Sequence, residues 1–370
     1  MNGFDIAIVG AGIAGASLAA RLAPHARVLL LEAEGQPGYH ATGRSAAFWS
    51  ETYGGPAIQP LSTASGPWLR APPADYGDAP FVSPRGELFI ATRANRAALE
   101  AFAAEFAGAG VTLESVDPRP LVPGLRDDWT EALWEPSCAD IHVAEYHAAC
   151  LKVARRAGAV LRCDAGLLAA ARRAGAWQIE TRAGRFTAAV IVNAAGAWAD
   201  PVARACGARP LGIAPLRRTM VQLAVDPPLS PTLPLIRDAQ DHFYLKPEAG
   251  GRGWLSPHDE IASDPCDARP EEIDVATAVD RLARAVDWSV RVERTWAGLR
   301  SFAPDRLPVY GFAPDTPGFF WFAGPGGFGI QTAPAAAALA AALLGAPADD
   351  MTAPLDPVRY APDRFAAILA

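Results

Sequence analysis

Three glycines and one carboxylate near the start of the chain have a spacing suited to binding chemistry. Gly10, Gly12 and Gly15 follow the apolar run Asp5–Val9, and Glu32 ends the next apolar run. Glycines at these positions permit a tight turn, close approach of the backbone to a phosphate and close packing of a helix on a strand. The start of that helix offers free N–H groups to phosphate oxygens, and Glu32 can accept hydrogen bonds from ribose hydroxyls. The order strand, glycine turn, helix, strand, acid therefore predicts a dinucleotide site rather than an ordinary glycine turn.

A second glycine cluster, GPGGFG at 324–329, follows the apolar run Phe319–Ala323. A helix is predicted to start near Thr332, and N–H groups at its start could stabilise negative charge on a ring carbonyl.

The loop at 38–55, GYHATGRSAAFWSETYGG, comes where a nicotinamide-binding domain would continue winding. Its length favours a flavin, whose ribityl chain and ring extend past the pyrophosphate. A plain surface loop and a plain packing turn are the alternatives for these two segments.

Glu87 stands directly before three apolar residues in SPRGELFI, at 83–90. A carboxylate at the mouth of an apolar strand needs water or a cationic partner, because burial of an unpaired charge is costly. The partner is either a ligand or an internal arginine, of which Arg85 is one candidate.

Composition excludes several classes of function. The chain has 370 residues, is 51% hydrophobic and carries a net charge of −7, with acidic and basic residues interspersed. It is long enough for two domains, and nucleic-acid binding is not expected.

The longest apolar helix candidate, Ala335 to Leu344, is too short to span a bilayer. A strand predicted to start at Asp5 leaves no room for a signal peptide before it, so we expect a cytoplasmic protein, with peripheral association at the inner face of the membrane as an option.

Cysteine and histidine patterns indicate no metal site. The five cysteines lack a C-x-x-C pair, and the six histidines lack metal-ligand spacing. We therefore expect reduced cysteines that serve packing: Cys138, Cys150, Cys163, Cys206 and Cys266.

The elements between the two glycine clusters do not follow a simple α/β winding. Helices are predicted over 95–106, from about 140 to 156 and over 270–286, and strands over 160–163, 177–181 and 185–188. A buried strand is predicted from residue 189 and ends in Ala194, Ala195 and Gly196. Long strands after residue 207 indicate a second sheet. We therefore predict a discontinuous nucleotide-binding domain formed by residues 1–80, 141–206 and 295–370, and a second domain formed by residues 81–140 and 207–294.

At this point the sequence resembles the FAD-dependent oxidoreductases of the D-amino-acid oxidase and glycine oxidase superfamily, and within it most closely the bacterial D-arginine dehydrogenases. The segments that carry the resemblance are DIAIVGAGIAGAS, QPGYHATGRSAAF, SPRGE, VNAAGAW, RPLG, LRRT, FYLKP, TWAGLRSF and GGFGIQT. They run from residue 5 to about residue 333. The resemblance implies an α/β fold, α+β overall. It would comprise a Rossmann-like FAD-binding domain of glutathione-reductase type and a substrate domain built on a large mixed or antiparallel sheet.

The resemblance also implies noncovalent FAD, because covalent relatives use a cysteine near the second glycine cluster and no cysteine follows Cys266. The residues expected to contact FAD are Gly10, Ala11, Gly12, Ile13, Ala14, Gly15, Glu32, Ala33, Thr42, Gly43, Arg44, Ser45, Ala46, Ala47, Ala165, Ala195, Gly196, Trp198, Gly298, Arg300, Gly326, Gly327, Phe328, Gly329, Ile330 and Gln331.

Oxidation of an amino acid to an imino acid needs a group that holds the carboxylate, and the planar fork of an arginine suits it. Arg300 is the first candidate and Arg218 the second. The resemblance assigns the site-facing position to Arg218 rather than to its neighbour Arg217. It also implies that Tyr244 adds a hydroxyl to the carboxylate and that Tyr53 lies over the site.

Two positions bear on the substrate's side chain. In the resembled enzymes a glutamate matching Glu87 receives the guanidinium of D-arginine, and a histidine stands where this chain has Phe48. Phe48 can neither titrate nor form a hydrogen bond, so it makes the site more apolar.

These observations predict an FAD-dependent D-amino-acid dehydrogenase for basic or large apolar substrates, with a quinone or another electron acceptor. The alternatives are an oxidase or dehydrogenase of glycine, secondary amines or 2-hydroxy acids, and a flavoprotein without small-molecule turnover.

Overall fold

The computed structural model describes residues 3–365; residues 1–2 and 366–370, which the domain prediction includes, lie outside the described residues. The helices are α1 (Ile13–Leu22), α2 (Gln59–Arg70), α3 (Arg96–Glu105), α4 (Val143–Arg156), α5 (Ala199–Ala205), α6 (Glu272–Ala285) and α7 (Gly329–Leu343).

The strands are β1 (Gly3–Val9), β2 (Val28–Leu31), β3 (Phe48–Trp49), β4 (Val82–Pro84), β5 (Glu87–Ala91), β6 (Glu114–Val116), β7 (Glu131–Glu135), β8 (Ala139–Ile141), β9 (Val160–Arg162), β10 (Leu167–Arg173), β11 (Ala176–Thr181), β12 (Gly184–Asn193), β13 (Ala214–Asp226), β14 (Leu235–Asp238), β15 (Tyr244–Glu248), β16 (Arg252–Ser256), β17 (Ile261–Ala262), β18 (Ser289–Phe302), β19 (Val309–Phe312), β20 (Phe319–Ala323) and β21 (Pro325–Gly326).

The first sheet has the order β10-β11-β12-β1-β2-β9, with β20 beside β12 and β19 beside β20. Its centre is parallel, since β1 pairs in parallel with β2 and β12, and β9 and β20 continue the parallel pairing on either side. Parallel strands need crossover connections, and α1 supplies the one between β1 and β2. Helix α1 packs against α4 and α7, which cover one face of this sheet with a continuous apolar core.

The second sheet has the order β21-β18-β13-β16-β15-β14-β5-β7-β6, and β17 pairs with β13 at its margin. It is mixed, because β14 and β5 are parallel whereas the other pairs are antiparallel. Helix α6 covers one face with a core that includes Leu282 and Ala278. The other face carries the polar residues described below. A third, short sheet has the order β3-β8-β4. The predicted architecture of a Rossmann-like sheet and a second, mixed sheet is confirmed.

Several predicted boundaries change. Strand β18 runs through residue 295, so that predicted domain boundary falls inside a strand of the second sheet. The strand predicted at 185–188 and the one predicted from 189 to Gly196 form one strand, β12, because the apolar run continues the same ladder to β1. It ends at Asn193, before the small residues. Helix α7 begins at Gly329, three residues before the expected start. The sequence did not predict β10, a largely exposed edge strand whose register shifts near Leu167.

Other predictions concern cysteines, metals and membranes. Cys138, Cys150 and Cys206 are buried as expected, but Cys266 is exposed and does not serve packing. Within residues 3–365 no cluster of three or more acidic, histidine or cysteine side chains could hold a metal ion. In the same residues, no helix has both the length and the apolar character that a membrane crossing requires.

Candidate active site

The first glycine turn is packed too tightly for side chains. Gly10 has φ of +103°, and a Cβ there would lie 2.4 Å from the carbonyl oxygen of Ala194, at the end of β12. A Cβ on Gly15 would lie 1.8 Å from the carbonyl oxygen of Gly10. The backbone at the ends of β1 and β12 therefore stays bare at the start of α1, as close approach of a phosphate requires.

The acid after β2 is held in a fixed orientation. Glu32 is buried and accepts hydrogen bonds from the backbone N–H groups of Ala11 at 3.0 Å and Glu34 at 3.1 Å. Ile13, in the first turn of α1, donates its N–H to the Thr42 hydroxyl at 3.0 Å. These contacts join the glycine turn, the acid and the start of the next loop, so their residues fit a bound dinucleotide such as FAD.

The loop after this turn is anchored to the second sheet. Arg44 donates to the carbonyl oxygens of Ala268 at 3.1 Å and Ala297 at 3.2 Å, and Trp296 donates its indole N–H to the Arg44 carbonyl oxygen at 2.9 Å. A Cβ on Gly298 would touch the Arg44 side chain at 3.4 Å. The loop thus bridges the two sheets, where a flavin ring could lie between them.

The other expected cofactor residues occupy three places. Ala33 and Ala165 lie beside Glu32, with the Ala165 N–H 2.7 Å from the Glu32 carbonyl oxygen. Ala195, Gly196 and Trp198 follow β12. The third group surrounds a small cavity or adjoins it, and comprises Ser45, Ala46, Ala47, Gly326, Gly327, Phe328, Gly329, Ile330 and Gln331.

We call this space the aromatic cavity; it measures about 20 Å³ and is lined by Ser45, Ala46, Ala47, Phe48, Tyr53, Tyr244, Arg300, Gly327, Ile330 and Gln331. Its walls include three aromatic rings: the centre of the Phe48 ring lies 4.8 Å from that of Tyr53 and 5.9 Å from that of Tyr244. This volume accommodates about one water molecule. A larger ligand therefore requires its walls to move.

A larger cleft of about 660 Å³ lies on the other side of Ser45 and Ala46, which line both spaces. Thr42 and Gly43 border it from the cofactor loop, and Lys246 and Asp140 are among its charged residues. The predicted cofactor loop therefore separates a narrow aromatic space from a wider cleft that has charged residues in its wall.

Helix α7 fixes the loop that carries Tyr53. Gln331 donates to the Tyr53 carbonyl oxygen at 3.0 Å and to the Ser62 hydroxyl at 2.8 Å, and its amide oxygen accepts the Ser50 N–H at 3.2 Å. The second glycine cluster thus serves a further purpose, since the helix that follows it holds the wall of the aromatic cavity in place.

Strand register brings the two predicted arginines onto one face of the second sheet. Leu216 of β13 lies opposite Arg300 of β18, and Arg218 lies two residues along on the same side. Arg217 points to the other face, where it forms an ion pair with Asp274 of α6 at 2.9 Å. Arg218, rather than Arg217, therefore shares the face of Arg300.

Arg300 is half-buried and lacks an acidic partner. Its Nη1 donates to the Tyr53 hydroxyl at 2.8 Å, and no carboxylate of residues 3–365 lies within 4.0 Å of its guanidinium. Arg218 is buried; its Nε donates to the Asp259 carbonyl oxygen at 2.6 Å, and its Nη2 lies 3.4 Å from Glu260. Burial and the nearby Arg300 lower the pKa of Arg218. Two guanidinium groups on one face, one of them unpaired, favour an anionic ligand.

Tyr244 lies on the same face, in β15. Its hydroxyl donates to the Met220 sulfur at 3.1 Å, and its ring forms a wall of the aromatic cavity. The structure thus brings Arg300, Tyr53, Tyr244 and Phe48 together, with Arg218 close to them on the sheet.

Glu87 is fully buried, and its partner is an internal arginine. The Nε of Arg237 lies 3.0 Å from Glu87 Oε1, and Leu235 of β14 is the residue that pairs with Glu87 of β5. Arg85 instead forms an ion pair with Asp140 through its Nε at 2.9 Å. Burial raises the pKa of Glu87 to about 7, although the Arg237 charge opposes the shift. Glu87 does not line the aromatic cavity.

Three residues of this region were missed from the sequence. Arg237 lies against the Tyr53 ring, with its guanidinium carbon 5.2 Å from the ring centre. Glu135, paired with Glu87 across β5 and β7, accepts from the Glu51 N–H at 2.7 Å, and burial raises its pKa. His258 lies 5.7 Å from the Tyr244 ring, centre to centre.

Only Arg237 had a usable signal in the sequence. It directly follows the apolar run LPLI, and a charge at the end of an apolar strand needs a partner for the same reason as Glu87 does. His258 follows a strand and a proline without any motif. Its Nδ1 donates to the Asp241 carbonyl oxygen at 2.9 Å, and its buried Nε2 has no hydrogen-bond partner among residues 3–365. Burial and the charges of Arg218, Arg300 and Arg237 hold the pKa of His258 far below its usual range, so the ring is neutral.

Comparisons with known proteins show which family and which fold this chain resembles. A family model described as FAD dependent oxidoreductase, DAO, matches residues 5–343. Glycine oxidase of Geobacillus kaustophilus is 24% identical over 361 residues, covering 92% of this chain and 93% of that protein. Hydrogen cyanide synthase subunit HcnC of Pseudomonas aeruginosa is 28% identical over 189 residues, 50% of this chain; the match covers less than half of that protein, 42%. The crystal structure of L-proline dehydrogenase from P. horikoshii superposes with a TM-score of 0.85 at 21% identity, covering 98% of both chains.

Proposed function

The chain belongs to the DAO family of FAD-dependent oxidoreductases, and from this premise we propose that it oxidises the carbon–nitrogen bond of a small amino acid whose carboxylate is bound by Arg300. One observation carries the proposal. Arg300 lines the aromatic cavity, and among residues 3–365 its hydrogen-bond partner is the Tyr53 hydroxyl alone. A carboxylate at this position would receive a charge-assisted, two-pronged hydrogen bond.

When FAD is bound it supplies the hydride acceptor for this oxidation. The chain's own residues would bind and orient the substrate: Arg300 holds the carboxylate, the Tyr53 hydroxyl fixes the guanidinium, and Phe48 and Tyr244 exclude water. None of the side chains that line the aromatic cavity is an acid or a histidine that could act as a strong base at Cα. This composition suits hydride transfer from Cα to the flavin better than abstraction of a Cα proton.

We propose D-amino acids with apolar side chains as the substrates. The D configuration follows the resemblance to D-arginine dehydrogenases. The alternative of a basic side chain is less well supported, because the charge of Glu87 is already matched by Arg237. Phe48, Tyr53 and Tyr244 give the cavity an apolar wall that suits leucine or methionine side chains.

A second candidate is the oxidation of glycine or a secondary amine. The narrow aromatic cavity favours a substrate with little or no side chain, and the relative aligned over nearly its whole length is a glycine oxidase. The two candidates differ in whether an extended apolar side chain raises or lowers the efficiency of reduction.

Anaerobic mixing of the purified holoenzyme with D- and L-amino acids, glycine and N-methylglycine tests both candidates through bleaching of the flavin absorbance. We expect D-leucine and D-methionine to reduce the flavin at least tenfold more efficiently than their L-enantiomers. Faster reduction by glycine or N-methylglycine would favour the second candidate. If none of these compounds reduced the flavin, both candidate functions would be contradicted.

The flavin is proposed to be noncovalent, because no cysteine follows Cys266. Acid precipitation of the yellow protein should release all of the flavin, and flavin that stays with the precipitate would contradict this.

For the electron acceptor we propose a quinone or another carrier, which a cytoplasmic enzyme could reach by peripheral contact with the membrane. Comparing reoxidation of the reduced enzyme by a soluble quinone and by oxygen tests this point.

A further inference from the structure

Arg237 occupies a position that a cationic substrate side chain could otherwise take. Its guanidinium lies over the ring of Tyr53, and the hydroxyl of the same tyrosine accepts a hydrogen bond from Arg300. The guanidinium carbons of Arg237 and Arg300 are 5.2 and 5.9 Å from the Tyr53 ring centre. A substrate held at Arg300 therefore has the site of Arg237 within reach, provided that its side chain passes along the Tyr53 ring.

The Arg237–Glu87 pair is held by charge rather than by good hydrogen bonds. The Nε–Oε1 distance is 3.0 Å, yet both oxygens of Glu87 and the Nε and Nη2 atoms of Arg237 are buried without an aligned hydrogen-bond partner in residues 3–365. A well-placed guanidinium would form two parallel hydrogen bonds with such a carboxylate. Glu87 thus keeps hydrogen-bonding capacity that Arg237 does not use.

Arg237 does not line the aromatic cavity, but it adjoins two of the tyrosines that do. Arg237 projects from β14 directly beside Tyr244 of β15, the cavity-lining tyrosine, and its carbon also lies 4.4 Å from the Phe89 ring centre. Aromatic faces on two sides and a carboxylate at the end form a cage for one flat cation. In this chain an internal arginine fills that cage.

We infer that Arg237 is a specificity-determining residue, an internal guanidinium that occupies the cation site of Glu87 and so excludes basic amino acids. The inference rests on the proposed function, because the excluded compounds are amino acids that the proposed oxidation would otherwise act on. It follows that removing Arg237 while keeping Glu87 uncovers a site for the side chain of arginine or lysine.

The test is the variant Arg237→Ala as holoenzyme, mixed anaerobically with D-arginine, D-lysine, D-leucine and D-methionine. We expect the ratio of reduction efficiency for D-arginine over D-leucine to rise about 100-fold relative to the parent. The matched control, Arg237→Ala with Glu87→Gln, opens the same space without the carboxylate and should show no such rise. The inference would be overturned if the ratio were the same in the parent and in Arg237→Ala, or if it rose equally in the control. A parent enzyme that already prefers D-arginine would also overturn it.

A second measurement covers a variant that folds poorly and separates this inference from the proposed function. Millimolar methylguanidine should raise the thermal unfolding midpoint of Arg237→Ala by several degrees, because it refills the cage, and should leave the parent and the double variant unchanged. Absence of this selective stabilisation would overturn the inference even if no amino acid reduces the flavin. Failure of every amino acid to reduce the parent would instead overturn the proposed function alone.

Discussion

Arg300 and Arg237 are the same residue type in closely similar places, yet their surroundings differ. Both project from the second sheet toward Tyr53, and both guanidinium carbons lie within 6 Å of its ring centre. Arg237 has a buried carboxylate at 3.0 Å, whereas within the described residues Arg300 has the Tyr53 hydroxyl and no acid as a partner. The difference shows that a buried arginine becomes a candidate ligand-binding group through the lack of an internal counter-ion, not through its position alone.

The largest effect is expected from Arg300→Met. If Arg300 holds the substrate carboxylate, the variant should bind FAD but lose about two to four powers of ten in the efficiency of flavin reduction, about 3–5 kcal/mol. Anaerobic stopped-flow reduction measures this. The matched control is Arg294→Met, an exposed arginine on the same strand, which should stay near the parent value. Near-normal reduction of Arg300→Met would mean that the carboxylate is held elsewhere.

Removing the counter-ion of Arg237 should instead affect folding. Glu87→Leu leaves a buried guanidinium without its acid, which should lower the free energy of unfolding by about 3–5 kcal/mol. Denaturant unfolding of the variant measures this, and the double variant Glu87→Leu with Arg237→Leu should recover most of the loss. If Glu87→Leu were as stable as the parent, Arg237 would not depend on Glu87 as its counter-ion, and the contrast with Arg300 would fail.

The titration of Glu87 provides a smaller and more specific test. Its folded pKa of about 7 lies above the ordinary value of 4.5, so folding takes up a proton between these values. The Glu87 contribution to the free energy of unfolding should therefore be complete below pH 4.5 and decline by about 3 kcal/mol as the pH rises past 7. Glu87→Gln does not titrate. Unfolding measured from pH 5 to pH 8 should show the variant gaining on the parent as pH rises, and parallel pH curves would contradict this.

The smallest predicted effect concerns the Tyr53 hydroxyl, which accepts a hydrogen bond from Arg300. Tyr53→Phe removes the hydrogen bond that orients Arg300 and should cost about 1 kcal/mol, roughly fivefold in reduction efficiency. Tyr39→Phe, at an exposed tyrosine, is the control. A loss as large as that of Arg300→Met would indicate that the Tyr53 hydroxyl itself contacts the reacting groups.

Sequence patterns sufficed for the parts of the fold that depend on local spacing. Gly10, Gly15 and Glu32 meet because a strand, a turn and a helix of short length leave them no other arrangement. The approach of Arg300 to Tyr53 could be expected only from family resemblance, since they are far apart in the chain and carry no common pattern.

The partner of Glu87 could not be predicted from the sequence. It depends on the parallel register that places Leu235 of β14 beside Glu87 of β5, and a shift of one residue would turn Arg237 to the opposite face. The chain contains many arginines, so charge alone did not select one of them. The isolated position of His258 is a similar case, because a loop after β16 brings it to Tyr244 without any periodic signal.

The most direct test of the difference between the two arginines uses a compound that can bind but cannot be oxidised. 2-Aminoisobutyrate keeps the carboxylate and the amine but has no hydrogen at Cα, and its binding to the holoenzyme can be followed through the flavin spectrum. We predict that Arg300→Met weakens this binding at least 100-fold, whereas Arg237→Ala changes it less than about threefold. Equal weakening in both variants, or unchanged binding in Arg300→Met, would contradict the assignment of Arg300 as the residue that binds the substrate carboxylate.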